Sequence, residues 1–340
     1  MTPSPRILTP TSANIAAAAR AIQGGELVAF PTETVYGLGA DALNDGAVRR
    51  IFELKKRPAT NPLIVHVDRI EAIGRVALLE DPRLCHRLEA VHRFWPGPLS
   101  VVLPRAPRVP AVVSGGLDTV AVRIPRHEVA LELLRLAGCP IAAPSANPSQ
   151  YVSPTTAEHV ARNLPEVPII LDGGQCEVGI ESTILSLIDD HPTLLRPGLV
   201  TAEELMEIFP DLCIPPRSTG QIKLLAPGMM RQHYAPHTSI ILRGDRPLTT
   251  WPAGQTGLIT FSATPPDQFE YGAVISLSSD GNMSEIAAGL FAAIRELDER
   301  GLALIVVDTC PEAGIGRAIM DRLIRATAPV DPHDGDSDAA

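Results

Sequence analysis

Residues 27–42 read LVAFPTETVYGLGADA, which joins a short apolar run to a polar segment containing glycines. The run 27–30 predicts a buried strand that ends at Pro31, because proline cannot donate to a sheet ladder. Hydroxyl groups and the Glu33 carboxylate follow at once, and strand ends are where α/β sheets bind ligands. An ordinary turn, with Gly37 and Gly39 at positive φ, is the alternative interpretation.

Composition limits the class of protein. The chain has 340 residues, 45% of them hydrophobic, which favours two domains over one. It opens without an apolar signal segment, and its longest apolar run is too short to span a bilayer, so we expect a cytoplasmic protein without membrane contact. The net charge of -10 argues against a broad nucleic-acid surface. Five cysteines without a C-x-x-C pair disfavour a disulfide framework and a structural zinc site, and single buried thiols are expected.

Alternating helical and strand patterns predict an α/β domain over residues 1–209. Prolines without periodicity predict an interdomain linker over residues 210–237. A smaller α/β domain is predicted over residues 238–328, followed by a disordered acidic tail at 329–340. We therefore expect two α/β domains joined by a linker.

A basic cluster follows the first strand. Asp45 is predicted to cap a helix that ends near Arg57, because Pro58 follows. Lys55, Lys56 and Arg57 would then lie on its last turn, where cations also complement the helix dipole. Three together, before the next strand, favour anion binding.

Two later strands carry isolated polar side chains. In strand 63–67, alternation directs His66 away from the face that Val65 and Val67 share. In strand 119–124, Arg123 lies on the face of Thr119 and Ala121. A buried guanidinium needs a partner, and a carboxylate of the protein or of a ligand would supply it.

Small and hydroxyl residues cluster again at residues 144–156. The segment follows a short apolar strand and reads PSANPSQYVSPTT. Ser153 is predicted to cap a helix with Pro154 at its first position, which would leave backbone N–H groups for an anion. Plain turn chemistry is the alternative.

Eight stretches occur in an order that resembles the YrdC-like domain: FPTETVYGLGADA, KKRPATNPLIVHV, WPGPLSVVL, TVAVRIPRH, APSANPSQYVSPT, DGG, IESTIL and LLRPG. With APGMMRQHYAP at residues 226–236 and the second domain, nearly the whole chain resembles the two-domain threonylcarbamoyl-AMP synthases. The resemblance implies a YrdC-like twisted mixed sheet with helices and a smaller, Rossmann-like C-terminal domain.

The resemblance also implies a reaction. L-Threonine, bicarbonate and ATP would give threonylcarbamoyl-AMP, pyrophosphate and water, for N6-threonylcarbamoylation of tRNA adenosine by a partner transferase complex. By motif, threonine would be bound by Thr32, Thr34, His66, Arg123, Ala143 and Ser182. ATP would be bound by Arg57, Asn61, Thr119, Ser145, Ser153, Arg196 and Tyr234. Lys55 and Arg57 would act in catalysis by neutralising phosphate charge, with Mg²⁺ carried on the ATP phosphates rather than by protein side chains.

Two further expectations concern the mechanism and the linker. Without a nucleophilic triad or a metal-ligand pattern in the sequence, we expect no covalent enzyme intermediate. The linker is expected to close over the site as a lid. It departs from the family pattern at Met230, Arg231 and Gln232, where basic and aromatic residues are usual.

Two other functions were weighed. The carbamoyltransferase of hydrogenase maturation contains a related domain, but it also needs an acylphosphatase-like domain and cysteine-rich zinc motifs. An RNA-binding module that uses the concave face is the runner-up, although the acidic net charge opposes it.

Overall fold

The computed structural model describes residues 6–216 and 232–328. The chain divides into two compact units, and the second one begins, unexpectedly, with the tripeptide Gln150–Val152. The rest of the second unit runs from residue 232 within the described residues. Most of the predicted linker, and the acidic tail, lie outside the described residues, so the lid and the disordered tail stay predictions.

The first unit is a mixed α/β structure. Its strands are β1 (Arg6–Leu8), β2 (Val28–Phe30), β3 (Gly37–Asp41), β4 (Ile64–His66), β5 (Leu99–Pro104), β6 (Thr119–Arg123), β7 (Ile141–Ala142), β8 (Ile169–Leu171), β9 (Thr183–Ser186) and β10 (Thr193–Arg196). Its helices are α1 (Ser12–Gln23), α2 (Asp45–Lys55), α3 (Pro82–Ala90), α4 (Glu128–Ala137), α5 (Ala157–Asn163) and α6 (Ala202–Ile208). Short 3-10 turns occupy Ile70–Arg75, His92–Phe94 and Ala111–Ser114.

The ten strands form one mixed sheet in the order β1-β8-β2-β3-β7-β4-β6-β5-β9-β10. The main hydrophobic core covers one face and includes Leu38, Val65, Val101 and Val122. On the other face, residues of α1 and α4 pack over Phe30 and Ile141. Farther along that second face lies a small apolar cluster, formed by Ile64, Val102, Ala121, Ile184 and Leu195. The predicted mixed sheet with helices is confirmed.

Within residues 27–42, the segment for which a turn was the alternative interpretation forms a strand. Gly37 and Gly39 both belong to β3, which pairs antiparallel with β2, and neither has a positive φ. A Cβ atom on Gly39 would lie 2.8 Å from Phe30 and 2.8 Å from Ile141. Gly39 is therefore required for close packing, and the turn alternative is wrong.

Two predicted helix starts are corrected. The side chain of Asn44, not of Asp45, caps α2, because Asn44 has the extended backbone that places its oxygen over the third helical N–H. Ser153 caps no helix, since α5 begins at Ala157 behind Thr156. The prediction of an anion-binding helix N-terminus at Pro154 is therefore wrong.

The end of α2 also differs from the prediction. Only Lys55 lies on the last turn, and Lys56 adopts a left-handed conformation with a φ of 51°. This turn leaves Lys56 exposed and returns Arg57 into the protein interior, where it is 8% exposed. The prediction that all three cations share the last turn is wrong, because the chain reverses before Pro58.

The second unit contains a parallel sheet of four strands in the order β11-β14-β12-β13. Its strands are β11 (Ile240–Leu242), β12 (Thr256–Thr260), β13 (Ala273–Ser276) and β14 (Leu304–Val307). Its helices are α7 (Met283–Asp298) and α8 (Ile315–Thr327), with a 3-10 turn at Leu248–Thr250. A parallel sheet with helical connections agrees with the Rossmann-like architecture expected for this part of the chain.

Two sequence expectations concern cysteines and membranes. All five cysteines are free thiols, but only Cys176 is buried and Cys213 is exposed, so the expectation of buried thiols holds for one of them. None of the helices formed by residues 6–216 and 232–328 has the length and apolar character needed to cross a membrane.

Candidate active site

Alternation along neighbouring strands brings distant residues to one face of the sheet. His66 and Arg123 are register partners on β4 and β6, and Arg123 is also the partner of Ser100 on β5. Ser100 in turn pairs with Ile184, two residues beyond Ser182. Side chains two residues apart share a face. Hence His66, Arg123 and Ser182 meet on the face that carries the small apolar cluster, as the strand pattern predicts.

Arg123 is buried against the segment that follows β2. Its Nη1 donates to Thr34 Oγ1 at 2.9 Å, and its Nε donates to the Gly97 carbonyl at 3.3 Å. Its Nη2 lies 2.8 Å from Glu33 Oε2, with both side chains almost fully buried. The carboxylate predicted for Arg123 is therefore supplied by the protein itself, at least in part.

The threonine hydroxyls form a directed chain. Arg123 donates to Thr34, and Thr34 Oγ1 lies 2.8 Å from Thr32 Oγ1, which donates to the Val35 carbonyl at 2.7 Å. Since each hydroxyl has one proton, Thr34 donates to Thr32. Both side chains are fixed in position, which suits them to orient a small polar ligand.

His66 is neutral at physiological pH. Its ring meets Phe30 edge-on, with centroids 6.0 Å apart. Burial, and then the positive charge of Arg123, lowers the pKa of His66 to about 3. A neutral imidazole beside Arg123 adds no second positive charge to this end of the site.

Ser182 lies at the centre of a second polar group. Arg196 donates to the Ser182 carbonyl at 3.0 Å and to its hydroxyl at 3.2 Å. Ser100 Oγ lies 2.8 Å from Ser182 Oγ. Ser100 was not predicted, although its place on strand 99–103 two residues before Val102 would have put it on the face of the site.

Lys55 is buried, and no carboxylate of residues 6–216 and 232–328 forms a salt bridge with it. Its Nζ donates to the Ser145 carbonyl at 2.6 Å and to the Asn147 carbonyl, and the residue is 1% exposed. Burial, and then the charge of Arg57, lowers the pKa of Lys55 well below its usual value. Lys55 therefore ties the end of α2 to the segment after β7 while using two of its three N–H donors on these carbonyls.

Arg57 and Asn61 form one hydrogen-bonded unit. Arg57 Nη2 donates to Asn61 Oδ1 at 2.6 Å and to the Pro62 carbonyl at 2.9 Å, and its Nε donates to the Asn61 carbonyl at 3.2 Å. These contacts fix the turn between α2 and β4. Contact of either side chain with ATP stays a prediction.

The remaining predicted residues of the first unit lie nearby along the same elements. The N–H of Ala143 donates to the Ile64 carbonyl at 2.9 Å, and Ser145 bridges to Gly37. Thr119 opens β6. Ser153 donates to Glu181 Oε1 at 2.5 Å, so a hydroxyl predicted for ATP is engaged by a buried carboxylate that the sequence analysis did not select.

Tyr234 belongs to the second unit. Its ring stacks on Phe291 with centroids 5.3 Å apart, and the Arg322 guanidinium lies 5.4 Å from its centre. Its φ of 65° is left-handed, a conformation that non-glycine residues rarely adopt outside constrained sites. Its role toward ATP stays a prediction.

The expectation that Mg²⁺ is carried on the ATP phosphates rather than by protein side chains stays a prediction. Within residues 6–216 and 232–328, no group of three or more His, Cys, Asp or Glu side chains is placed to hold a metal ion. The cations Lys55 and Arg57 suit phosphate oxygens instead.

Comparisons with known proteins cover nearly the whole chain. Residues 20–198 match a family model described as "Telomere recombination", for Sua5, YciO and YrdC, and residues 200–328 match "Threonylcarbamoyl-AMP synthase, C-terminal domain". The threonylcarbamoyl-AMP synthase of Pyrococcus abyssi is 43% identical over 325 residues, which is 91% of this chain and 93% of the relative. That of Bacillus subtilis is 41% identical over 332 residues, 94% of each chain.

A solved structure gives the same picture. The crystal structure of P. abyssi Sua5 complexed with L-threonine superposes with a TM-score of 0.82 at 41% identity, covering 93% of this chain and 95% of that one. The similarity therefore extends to both units.

Proposed function

The chain belongs to the threonylcarbamoyl-AMP synthase family, and on that basis we propose that it makes threonylcarbamoyl-AMP and pyrophosphate from L-threonine, bicarbonate and ATP. The observation that carries the proposal is the buried group formed by Arg123, Thr34 and neutral His66 on the sheet face. A guanidinium, a fixed hydroxyl and a neutral ring are complementary to a small hydroxy amino acid. Similarity to a relative solved with L-threonine supports the same assignment.

The proposed reaction has two bond-forming steps. The threonine amine, after losing a proton, attacks the bicarbonate carbon and gives a carbamate and water. A carbamate oxygen then attacks the α-phosphate of ATP, and the bond to the β-phosphate bridging oxygen breaks to release pyrophosphate. No covalent enzyme intermediate is required, so positioning and charge stabilisation account for catalysis.

Lys55 and Arg57 are proposed to act on the phosphates. Both side chains are buried, Lys55 against the segment after β7 and Arg57 against the turn before β4, and a low dielectric strengthens the attraction of a buried cation for an anion. Asn61, Thr119, Ser145, Ser153, Arg196 and Tyr234 are proposed as further ATP contacts. Mg²⁺ is proposed to enter on the ATP phosphates and to neutralise part of their charge.

Threonine is proposed to bind at the Arg123 end. Its carboxylate would pair with Arg123, and Thr32, Thr34, His66, Ala143 and Ser182 would surround it. The product is an activated carbamate, so a transferase that acts on tRNA adenosine is the proposed consumer.

Pyrophosphate release by the purified chain tests this function. ATP and Mg²⁺ are supplied with and without threonine and with and without bicarbonate, and the adenylate product is identified by mass spectrometry. We expect release only when both co-substrates are present. Release that needs neither would contradict the proposal, and RNA binding without any release would favour the RNA-binding module instead.

A further inference from the structure

Glu33 is a buried carboxylate whose two oxygens accept no hydrogen bond from the described part of the chain. The residue is 2% exposed, and its Oε2 lies 2.8 Å from Arg123 Nη2. Yet neither oxygen accepts a hydrogen bond from the residues that the structure describes, and Arg123 Nη2 likewise has no hydrogen-bond partner among them. Native proteins rarely leave buried polar atoms in this condition, and each case needs an explanation.

The surroundings of Glu33 are rigid and contain one full positive charge. Arg123 is already oriented by Thr34 and by the Gly97 carbonyl, so it does not need Glu33 to hold its direction. The charge of Glu33 also acts on two nearby groups. Burial lowers the pKa of His127, and Glu33 opposes part of that lowering. Burial raises the pKa of Cys176, and Glu33 raises it further. The His127 imidazole and the Cys176 thiol are neither carboxylates nor permanent cations, so neither takes the place of Arg123 as the counter-ion of Glu33.

We propose that Glu33 receives the α-ammonium group of L-threonine, so that Arg123 and Glu33 together bind the zwitterion. The inference rests on the proposed function. The Arg123–Glu33 pair has no net charge and neither has the zwitterion, so binding leaves no uncompensated charge buried in the site. A carboxylate bound by Arg123 alone would bring an ammonium group into the same buried region without an anionic partner.

The geometry supports this assignment. The two charges of an α-amino acid are carried by groups on a single carbon atom, and the two charged groups of the protein are separated by 2.8 Å. The spacing of the two protein groups therefore matches the spacing of the two charges on one α-amino acid. Free lone pairs on Glu33 are what an ammonium group with three N–H donors requires.

Calorimetric titration of the full chain with L-threonine tests the proposal. The change Glu33→Gln keeps the size of the side chain and removes its charge. Glu177→Gln is the matched control, because Glu177 also pairs with an arginine, Arg126, at 3.1 Å, but at the surface. Each protein is also titrated with the threonine analogue in which a hydroxyl group replaces the α-ammonium group.

We expect Glu33→Gln to weaken L-threonine binding at least tenfold, whereas the hydroxyl analogue, which is a net anion, should bind at least as tightly as it does to the unchanged chain. The control should bind both as the unchanged chain does. Equal weakening of both ligands in Glu33→Gln would show that Glu33 acts only through Arg123, and unchanged L-threonine affinity would exclude any role. Either result overturns the proposal.

Two measurements guard against a variant that fails to fold. In the unchanged chain, we expect the analogue to bind at least tenfold more weakly than L-threonine, and equal affinity for the two would overturn the proposal without any variant. If the unchanged chain binds neither ligand and releases no pyrophosphate, the proposed function itself fails. If only the proposal for Glu33 is wrong, the unchanged chain still releases pyrophosphate.

Discussion

Two buried cations of the first unit have opposite electrostatic settings. Arg123 lies beside the carboxylate of Glu33, so its end of the site is neutral. Lys55 donates only to carbonyl groups among the residues that the structure describes. Burial, and then the charge of Arg57, lowers the pKa of Lys55, so an anion bound at this end would stabilise its charged form. A neutral pair suits a zwitterion, whereas an uncompensated cation suits a phosphate. The difference supports the proposal that threonine binds at one end and ATP at the other.

Removing Arg123 should have the largest effect. In Arg123→Met, Glu33 would be left as a buried carboxylate without a counter-ion. We expect the free energy of unfolding in urea to fall by about 3–5 kcal/mol, together with loss of threonine binding.

A double variant separates the two consequences. Arg123→Met combined with Glu33→Leu removes both charges, and it should regain most of the stability while threonine binding stays lost. A single variant as stable as the unchanged chain would show that the pair is not a buried ion pair in solution.

Removing Lys55 should act on the other substrate. We expect Lys55→Met to reduce pyrophosphate release about 100-fold, since it removes a charge from the proposed phosphate site. The affinity for threonine should stay unchanged. Lys56→Met is the matched control, because Lys56 is the exposed neighbour. Near-normal turnover in both Lys55→Met and Arg57→Ala would contradict the assignment of the phosphate end.

His66 allows the neutral end to be tested by pH. The pKa of His66 is lowered to about 3 by burial and by Arg123, so the folded protein keeps the ring neutral where the unfolded chain protonates it near pH ~6.5. Its contribution to stability is complete above that pH and is lost as pH falls toward 3. Between pH 8 and pH 5, we expect the unfolding free energy of the unchanged chain to drop by about 2 kcal/mol more than that of His66→Gln. Equal pH profiles would mean that His66 is not buried in neutral form.

Ser100 should have the smallest effect. Ser100→Ala removes the contact with Ser182, and we expect a loss of about 1 kcal/mol in the free energy of unfolding. Because Ser182 is also bound by Arg196, the Michaelis constants for both substrates should change by only about twofold. A large change for threonine alone would place Ser100 in the threonine end.

Much of the fold was predictable from local patterns. The predicted strands 27–30, 63–67 and 119–124 contain β2, β4 and β6, because apolar runs and alternation depend only on neighbouring residues. Helix starts were less predictable. Asn44 competed with Asp45 for the cap of α2, and a serine followed by proline imitated a cap at Ser153. Strand β3 was missed because its two glycines are typical of a turn. In the structure, Phe30 and Ile141 leave no room for a Cβ atom at Gly39, so glycine is needed within the strand.

The sequence by itself determined which residues share a face. Alternation directed His66 away from Val65 and Val67 and put Arg123 on the face of Thr119 and Ala121, since the side-chain period of a strand is fixed by the backbone. Strand pairing then brought the two residues to the same side of the sheet. Only the tertiary structure decided their partners. Glu33 meets Arg123 across 90 positions of sequence, and Lys55 meets the Ser145 carbonyl across another 90. Strand order and helix packing set such pairings, and no local pattern encodes them.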